Sequence, residues 1–597
     1  MDPLRHEAIH NERHIKVICI GAGASGLCLA YKLQRSFRSY TLTVYEKNPK
    51  VGGTWYENRY PGCACDVPSH NYVYSFEPKP DFTAVYAGSA ELQGYFEGFA
   101  DKYGLGEYIK LSHVVENTKW KEESGQWEVI TRDLTTGEVV HDWCHVLVHA
   151  SGYLNKPSWP QLPGLEDYQG TKLHSADYDT SVSLQDRDVL LVGAGSSAVQ
   201  ILPAIQPIVK SVTIFIRSPT WVLPDISEQS KQFTPQDIET FVNNPDAVME
   251  LRQDNERTMN SIFSMYLKGT VLQGQAKTLL NSVMSEILGD DEDAKENLIP
   301  TFAVGCKRVV PSGYNYIKAL KQHNVKKVYE GVAAFTPTGV VSDSGSNYDG
   351  DVMICATGFD TSYISRYPII GPDRRNLQAE WADSIMGYMG VGMSDFPNTF
   401  SFTGPYTPIS NGPTLIAIEA QADYICSMID RYQTEPIHSI SLKKQVCVEF
   451  KEHVAGFMEK AVWTDNCRNS LNNGKIGSRV PTTWPGSTLH YLEAMKEPRW
   501  DDWEIRYSGN RFSYLGNGIS QTEWDPTADL GYYVAKNDDN GAWSSRWKRT
   551  ALMNKSGSQP ARELHRQAKL AVKPVAEKSI LPTEMRKTAI QAVAEAS

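Results

Sequence analysis

Residues 15–26 read IKVICIGAGASG, and the prediction of the fold begins from this stretch. Its first six residues form an apolar run typical of a strand, and the helical pattern LCLAYKLQ follows directly after it. Glycines in the GxGxxG spacing permit a tight turn, bring the backbone close to a pyrophosphate and pack helix against strand. The helix N-terminus adds positive dipole for the phosphates. The stretch therefore predicts a dinucleotide site at Gly21, Gly23, Ser25 and Gly26.

A carboxylate follows at the position where such sites read the ribose. The next strand-like run, TLTVY, leads into Glu46, twenty residues after Gly26. A carboxylate there accepts both hydroxyls of an unphosphorylated ribose and repels a 2′-phosphate. This charge favours FAD as the ligand of the first site.

The pattern recurs at residues 188–198, DVLLVGAGSSA, again between a strand-like run and a helical one. The predicted nucleotide contacts of this second turn are Gly193, Gly195, Ser196, Ser197 and Ala198. The following strand-like run, SVTIFIR, ends in Arg217, nineteen residues after Ala198. A cation at this position holds the 2′-phosphate of NADP. The two glycine turns are followed by residues of opposite charge at the position that reads the ribose. They therefore predict a flavoprotein whose first site along the chain binds FAD and whose second site binds NADPH.

Two small-residue turns indicate the domain organisation. HASGY at 149–153 and CATGFD at 355–360 each end an apolar run, as expected where the chain passes between nucleotide domains. We expect an α/β fold with two Rossmann-like domains, in which a discontinuous FAD domain encloses a nested NADP domain. The expected boundaries are 1–164 and 336–495 for the FAD domain, 165–335 for the NADP domain, about 225–300 for a helical insertion, and 496–597 for a C-terminal extension that is an extended tail beyond about 540.

The bulk composition excludes several classes of partner. The 597 residues are 41% hydrophobic and 22% charged, and the net charge of −11 argues against nucleic acid or an anionic membrane as the main partner. No run approaches the ~20 apolar residues of a membrane span, and the N-terminus lacks the apolar core of a signal peptide. Cys63 and Cys65 lack the further ligands of a zinc site, so no metal is expected. Ten scattered cysteines do not resemble a disulfide framework, which predicts a reducing, cytoplasmic location.

Residues 52–66, GGTWYENRYPGCACD, follow neither the helical nor the strand period. Gly-Gly and Pro-Gly indicate a loop. A loop with three aromatic residues, Trp55, Tyr56 and Tyr60, and little surface polarity is expected to lie against a flat ligand.

With these motifs in place, the chain strongly resembles flavin-dependent Baeyer–Villiger monooxygenases, over roughly residues 14–495. One family fingerprint is matched by Gly52, Gly53, Trp55, Tyr60, Pro61, Gly62 and Asp66. A second is matched by Tyr168, Gly170, His174 and Tyr178. GCKR at 305–308 resembles the basic pair of the family, and WPGSTLHY with FSYLGNG resembles its fungal secondary-metabolism branch.

The resemblance implies a role for each matched residue. Arg308 would stabilise negative charge beside the flavin, and Asp66 would hold its guanidinium by a charge-assisted bidentate bond. Lys307 would bind the NADP 2′-phosphate beside Arg217. The residues expected near the flavin are Gly53, Thr54, Trp55, Tyr60 and Asp66. His174 is expected to be a linker residue that couples domain motion, and not an acid or base.

The sequence departs from the family pattern at three places. Tyr168 and Tyr178 stand where most relatives have Phe and Trp, and both keep an aromatic ring. Residues 469–471 read NSL where many relatives have a Ser-Trp-Tyr-like segment in a mobile loop. This third departure leaves substrate size and lid closure open.

The leading hypothesis is an FAD- and NADPH-dependent monooxygenase that inserts one oxygen of O2 next to a ketone carbonyl of a bulky secondary metabolite. One alternative oxygenates an amine or sulfide heteroatom. Another is a dithiol flavoreductase, for which Cys63 and Cys65 have the wrong spacing. The last is a non-catalytic nucleotide-binding protein. The helical insertion either shapes the substrate cavity or consists of solvated helices. The oligomeric state stays open.

Overall fold

The computed structural model describes residues 8–223, 232–311, 313–409, 411–472, 474, 476–477 and 480–534. Its strands are β1 (Ile15–Ile20), β2 (Tyr40–Tyr45), β3 (Ile109–Lys110), β4 (His113–Lys121), β5 (Gln126–Asp133), β6 (Val139–Cys144), β7 (Val146–His149), β8 (Thr171–His174), β9 (Asp188–Val192), β10 (Ser211–Phe215), β11 (Val325–Val328), β12 (Val332–Phe335), β13 (Gly339–Ser342), β14 (Asn347–Asp349), β15 (Val352–Cys355), β16 (Ile369–Ile370), β17 (Gly387–Tyr388), β18 (Gly392–Met393), β19 (Thr399–Ser401), β20 (Ile437–Leu442) and β21 (Trp503–Tyr507). Its α-helices are α1 (Ala24–Ser36), α2 (Thr54–Glu57), α3 (Ser89–Lys102), α4 (Ser196–Ile205), α5 (Pro235–Asn243), α6 (Pro245–Ser261), α7 (Val271–Leu288), α8 (Glu292–Leu298), α9 (Gly313–Leu320), α10 (Leu377–Asp383), α11 (Thr414–Thr434), α12 (Lys444–Met458) and α13 (Thr488–Met495).

The first of the two large sheets is parallel, with the strand order β3-β2-β1-β7-β19. Its central strands IKVICI and VLVH are almost entirely apolar, as expected for parallel strands covered on both faces. The carboxyl ends of parallel strands meet at one edge, where ligands of such sheets bind. The glycine turn after β1 lies at that edge.

The second large sheet repeats this plan, with the parallel order β11-β10-β9-β15-β8. β9 takes the place of β1 and is followed by the second glycine turn, and β10 takes the place of β2. The repeated order confirms the predicted α/β class with two Rossmann-like units.

Helices and smaller sheets cover the faces of these two sheets. One continuous apolar core includes Leu27 and Leu29 of α1 together with Ile201 and Leu202 of α4, all fully buried. The first sheet is covered on its other face by β16-β4-β5-β6, where Trp127 is buried beside Ile18. The second sheet is covered by the antiparallel β12-β13-β14. Both glycine turns therefore rest on rigid, doubly covered sheets.

The sheet topology corrects two of the expected boundaries. β15 pairs with both β9 and β8, so the second Rossmann unit continues beyond residue 335 and is complete only at Cys355. β21 pairs with β20 and belongs to the main body, so the C-terminal extension begins after residue 511 and not at 496. In both cases a late strand closes a sheet that began far earlier in the chain. The predicted tail beyond 540 lies outside the described residues.

The helical insertion is present as α5, α6, α7 and α8, while residues 224–231 lie outside the described part. The helices of this insertion are anchored to the main body by hydrogen bonds and are not simply surrounded by solvent. Arg252 of α6 is buried, and its guanidinium donates to the carbonyls of Tyr74 and Ser75 at 3.1 and 3.2 Å. Asn71 donates back to the Arg252 carbonyl at 2.8 Å. The insertion therefore packs on the chain that follows Asp66.

Residues 8–11 and 512–534 form a separate small unit. Within it, the Ile9 N–H donates to the Ile519 carbonyl at 2.9 Å, and the ring of His10 stacks on that of Tyr514. None of the helices in the described parts of the chain is long and apolar enough to cross a membrane.

Candidate active site

The first cradle is the glycine turn between β1 and α1. Gly21 has φ +110°, and a Cβ there would lie 2.5 Å from the Ala150 carbonyl oxygen. A Cβ on Gly53 would lie 2.9 Å from the Gly23 Cα, so these two backbones meet closely. No side chain caps the first turn of α1, where Ser25 is buried. The amide groups at this helix start are therefore left for a ligand.

Glu46 closes the first cradle. Its side chain is 4% exposed, and its two oxygens accept from the Ala22 N–H at 2.7 Å and the Asn48 N–H at 2.9 Å. Burial raises the pKa of the Glu46 carboxyl, and the two backbone donors oppose that shift. The carboxylate is thereby held in one orientation beside the glycine turn.

The second cradle has the same backbone geometry. Gly193 has φ +120°, and a Cβ there would lie 2.5 Å from the Ala356 carbonyl oxygen. Gly195 precedes α4, and no side chain caps this helix either. Ser196 and Ser197 form its first turn, and Ala198 is fully buried behind them. The predicted residues of both turns thus lie where a dinucleotide would meet a helix N-terminus.

The aromatic loop at 52–66 lies between the two Rossmann units. Thr54 and Trp55 open the short helix α2, and Trp55 is buried with its ring edge-on to Tyr72. Tyr60 is also buried, but its hydroxyl donates to Gln200 Oε1 of α4 at 2.8 Å. The structure therefore places Tyr60 against the helix of the second cradle, whereas the sequence suggested only a flavin-lining ring.

Asp66 at the end of this loop forms a bidentate ion pair with Arg308. Arg308 Nη2 donates to Asp66 Oδ1 at 2.8 Å, and Arg308 Nε donates to Asp66 Oδ2. Arg308 Nη1 also donates to the Ile409 carbonyl at 3.2 Å. The Arg308 side chain remains 42% exposed, so the pair faces open space instead of being sealed in the core.

The surroundings keep this guanidinium charged. The partial loss of hydration acts to lower the pKa of Arg308, but the charge and hydrogen bonds of Asp66 outweigh this effect and the net shift is upward. Tyr153 and Tyr266 lie near enough to interact with this charge, and burial raises the pKa of both phenols. Neither tyrosine was singled out from the sequence, because no local pattern shows that it faces residue 308. The site therefore holds one permanent cation beside neutral phenols.

The chain leading to Arg308 is fixed by the insertion. Gln273 of α7 donates to the Val304 carbonyl at 2.8 Å and accepts from the Val304 N–H at 3.2 Å. Gly305 has φ +85°, and a Cβ there would lie 2.8 Å from the Tyr266 ring. The glycine of GCKR is thus required by both backbone conformation and space.

Cys306 is paired with Cys467 in a disulfide with Cα atoms 6.3 Å apart. The other eight cysteines, including Cys63 and Cys65, are free. The sequence contained no sign of this pair, because the two cysteines stand 161 residues apart and neither lies in a recognisable cysteine motif. The bridge joins the GCKR segment to the loop that contains the NSL departure.

Lys307 extends towards the second cradle. Its Nζ donates to Ser218 Oγ at 2.5 Å and to the Pro219 carbonyl at 2.9 Å, directly after Arg217 in the chain. Burial lowers the pKa of Lys307 to about 8, and the positive charges of Arg217 and Arg468 contribute to that shift. The predicted neighbours Lys307 and Arg217 are therefore brought together, and Arg468 joins them unpredicted.

His174 lies where the chain crosses between the Rossmann units. Its Nδ1 accepts from the Ala176 N–H at 3.0 Å, which leaves the proton on Nε2, 3.2 Å from Thr357 Oγ1. Thr357 donates to the Ser158 carbonyl at 2.7 Å, so one network joins both crossings. Burial lowers the pKa of His174 and favours its neutral form. This placement suits the predicted linker role.

Comparison with known proteins assigns the family. Residues 14–280 match the family model described as flavin-binding monooxygenase-like. The FAD-binding monooxygenase tazF of Aspergillus terreus is 34% identical over 87% of this chain and 95% of its own length. A Baeyer–Villiger monooxygenase of Pseudomonas aeruginosa is 30% identical over 80% and 89%. The chain belongs to the flavin-binding monooxygenase family. The predicted class, a flavin-dependent monooxygenase of Baeyer–Villiger type with fungal relatives, is confirmed.

Solved structures support the fold of this monooxygenase. Cyclohexanone monooxygenase from Rhodococcus sp. Phi1 bound to NADP+ superimposes with a TM-score of 0.71 at 23% identity, covering 83% of this chain and all of that chain. The OTEMO complex with FAD and NADP gives a TM-score of 0.72 at 21% identity with the same coverage. At this identity the likeness concerns the fold alone. The tazF relative is described as FAD-binding, which agrees with the predicted FAD, and the OTEMO structure holds both FAD and NADP.

Proposed function

We propose that this monooxygenase inserts one oxygen atom of O2 next to the carbonyl of a bulky ketone and yields an ester or lactone. FAD would occupy the first cradle and NADPH the second. The observation that carries the proposal is the bidentate Arg308–Asp66 pair, which projects from segments connected to both cradles.

The first cradle fits FAD. Side chains are excluded at Gly21 and Gly53 by backbone contacts of 2.5 and 2.9 Å, so the turn presents bare peptide groups. Glu46 is oriented by two backbone donors and retains lone pairs for ribose hydroxyls. A buried carboxylate at this point would repel a 2′-phosphate, which favours FAD over NADPH here.

The second cradle fits NADPH. Its glycine turn repeats that of the first cradle, but the charge at the following strand end is reversed. Arg217 is exposed there, and Lys307 reaches the adjacent Ser218. Phosphate recognition needs such cations, with arginine as the planar donor and lysine as the point charge.

Bound FAD, reduced by NADPH, would supply the oxygen-activating chemistry. Arg308 contributes a fixed positive charge at the place where the reaction develops negative charge on oxygen. It cannot serve as the acid, because Asp66 raises its pKa beyond the range in which it could release a proton. Asp66 orients the guanidinium through two parallel bonds. Arg308 and Asp66 therefore act by electrostatics and positioning.

The insertion supports a sizeable organic substrate. α6 packs on residues 71–75, which follow Asp66, and α7 holds Val304 ahead of Arg308. The insertion therefore borders both halves of the ion pair, as a substrate wall would. A polyketide or terpenoid ketone is our specific proposal, and it rests on the likeness to fungal enzymes.

The test is product analysis under labelled oxygen. The purified holoenzyme is incubated with NADPH, ¹⁸O₂ and a panel of monocyclic and polycyclic ketones, and parallel reactions contain a sulfide and a tertiary amine. We expect one labelled oxygen in an ester or lactone, with larger ketones preferred. Labelled sulfoxide or amine oxide without ester would instead support the heteroatom alternative.

A matched variant separates chemistry from cofactor binding. Arg308→Ala is expected to retain flavin and to oxidise NADPH while forming far less ester than wild type. Arg38→Ala, which removes an exposed arginine near the end of α1, is expected to behave as wild type. Undiminished ester formation by Arg308→Ala would overturn the role proposed for the ion pair.

A further inference from the structure

Three cationic residues from distant segments, Arg217, Lys307 and Arg468, are brought near one another by the Cys306–Cys467 bridge and the bond from Lys307 to Ser218. The charges of Arg217 and Arg468 both act on Lys307, and that of Arg468 also acts on Arg217. Arg217 and Arg468 are exposed, and Lys307 is half-buried. We define these three residues as the cation cluster.

A chain of contacts accounts for the position of Arg468. Arg468 follows Cys467, which is bridged to Cys306, and Cys306 precedes Lys307. Lys307 Nζ in turn donates to Ser218 Oγ, next to Arg217. Arg468 therefore stands next to a cysteine that is bridged to the residue before Lys307. Arg217 stands next to the serine that accepts a hydrogen bond from Lys307.

The loop around Arg468 is ordered by its own polar contacts. Asn469 Nδ2 donates to the Trp463 carbonyl at 3.1 Å. Asn472 Nδ2 donates to the Cys467 carbonyl at 3.3 Å, and the Asn469 N–H donates to Asn472 Oδ1 at 3.2 Å. These bonds fix the backbone on both sides of Arg468, so its side chain starts from a defined point.

The cation cluster is short of negative charge. Within the described residues, neither Arg217 nor Arg468 forms an ion pair, and the acceptors of Lys307 are neutral oxygens. Asp343 is the acid whose charge acts on Arg217, and its Oδ2 also accepts from the Gly331 N–H at 3.0 Å. Among the described residues, Asp343 is thus the one carboxylate found to act on these three positive charges. Like charges are held together at a cost unless an anion joins them.

We propose that Arg468 is a third ligand of the NADP 2′-phosphate and that the Cys306–Cys467 bridge is the device that positions it. This inference rests on the proposed function, in which NADPH occupies the second cradle and is bound by Arg217 and Lys307. A phosphate dianion offers three oxygens, so three separate cations can each take one. Arg468 thereby contributes to the choice of NADPH over NADH, and the bridge acts through it.

The first experiment measures phosphate recognition without turnover. Calorimetry on the holoenzyme compares adenosine 2′,5′-bisphosphate with adenosine 5′-monophosphate. Arg468→Gln is expected to weaken the bisphosphate about fivefold, as the loss of one exposed charge-assisted bond does, and to leave the monophosphate unchanged. Arg468→Lys should recover most of the loss, and Arg38→Gln should match wild type.

The second experiment follows the same selectivity in steady state. We expect Arg468→Gln to raise KM for NADPH about fivefold while KM for NADH and kcat at saturating NADPH stay within about twofold. Equal effects on NADPH and NADH, or no effect on either, would overturn the role of Arg468. If wild type itself fails to distinguish the bisphosphate from the monophosphate, the proposed second cradle fails and not merely this extension of it.

The third experiment tests the bridge. Cys467→Ser should lower NADPH selectivity as Arg468→Gln does, and the double variant should be no worse than either single one, because both changes remove the same contact. Cys426→Ser is the control, since Cys426 is free. If Cys467→Ser does not fold, wild type and Arg468→Gln are compared before and after dithiothreitol. A loss of selectivity confined to wild type supports the bridge, and unchanged wild-type selectivity refutes it.

Discussion

The two nucleotide cradles share one backbone design and differ in how their charge is assembled. Each has a glycine at positive φ on which a Cβ would lie 2.5 Å from the carbonyl oxygen of an alanine that directly follows a neighbouring strand. The alanine is Ala150 for Gly21 and Ala356 for Gly193. In each, the helix that follows starts without a side-chain cap. The backbone geometry alone would not tell the two cradles apart.

The charges do tell them apart. Glu46 is buried, and its carboxylate accepts hydrogen bonds from two backbone N–H groups of its own cradle. One donor is Asn48, two residues further along the chain, and the other is Ala22 in the glycine turn. The cations proposed for the second cradle, Arg217, Lys307 and Arg468, stand far apart in the chain. The charged residue of the first cradle therefore comes from the same βαβ unit as its glycine turn, whereas the charges proposed for the second cradle depend on tertiary placement. Perturbations should affect the two unequally.

The largest expected effect comes from the residue that belongs to neither cradle. Arg308→Ala should reduce ester formation about 10²- to 10³-fold, because one preorganised charge beside the developing negative charge is lost. Flavin content and NADPH affinity should stay within about twofold of wild type. Flavin absorbance, calorimetry and chromatographic product analysis measure these three quantities on one preparation.

The control for this prediction keeps the charge and removes the planar fork. Arg308→Lys should form ester at an intermediate rate, because lysine cannot make the bidentate bond to Asp66. If Arg308→Ala instead lost flavin, the ion pair would be part of the first cradle and the proposed division of roles would be wrong.

The next largest effects are expected from adding a methyl group to the glycine turn of each cradle, because each change should impair only one cofactor. Gly21→Ala is expected to weaken flavin retention roughly 10- to 100-fold, because its Cβ would overlap the Ala150 carbonyl and the backbone must shift. Gly193→Ala should leave flavin content unchanged and raise KM for NADPH by a similar factor. Flavin stoichiometry after gel filtration and initial-rate kinetics give the comparison. Loss of flavin in both variants would mean that the two Rossmann units do not act separately.

Removing the cation that stands two residues after β10 should affect the second cradle alone. Arg217→Gln is expected to raise KM for NADPH about tenfold, as loss of a hydrogen bond between charged partners does. KM for NADH and flavin content should not change. Steady-state kinetics with both nicotinamides test this, and an equal rise for NADH would show that Arg217 does not read the 2′-phosphate.

The repeated glycine turns explain why so much was predictable from the sequence. A turn at positive φ next to a strand and a helix is a local requirement, and a carboxylate or arginine at the following strand end is equally local. Asp66 and Arg308 were found through family fingerprints, and the structure joins them directly. Gly305 in GCKR is likewise explained by its backbone and its contact with Tyr266.

Other features depend on contacts between distant segments. Strand β15 belongs to the second sheet because it pairs with β9. This pairing cannot be read from the local sequence, so the second Rossmann unit was predicted to end at residue 335, which is too early. The hydroxyl of Tyr60 bonds to Gln200, whereas the sequence suggested only a contact with the flavin. This bond depends on how the two Rossmann units pack against each other. Cys467 and Arg468 are unremarkable in sequence, and they gain meaning only when the bridge places them beside Cys306.

The smallest expected effect concerns pH and comes from Lys307. Burial, followed by the charges of Arg217 and Arg468, lowers the pKa of this amine to about 8, below that of an ordinary lysine. Lys307 is therefore charged below pH 8 in the free enzyme and loses its proton as pH rises above it. KM for NADPH should increase about fivefold between pH 7 and pH 9, because the 2′-phosphate loses one cation, whereas KM for NADH should not follow. Lys307→Met should flatten the NADPH profile. Parallel slopes for NADPH and NADH would place the titrating group outside the second cradle, and the contrast between the two cradles would then rest on Arg217 and Arg468.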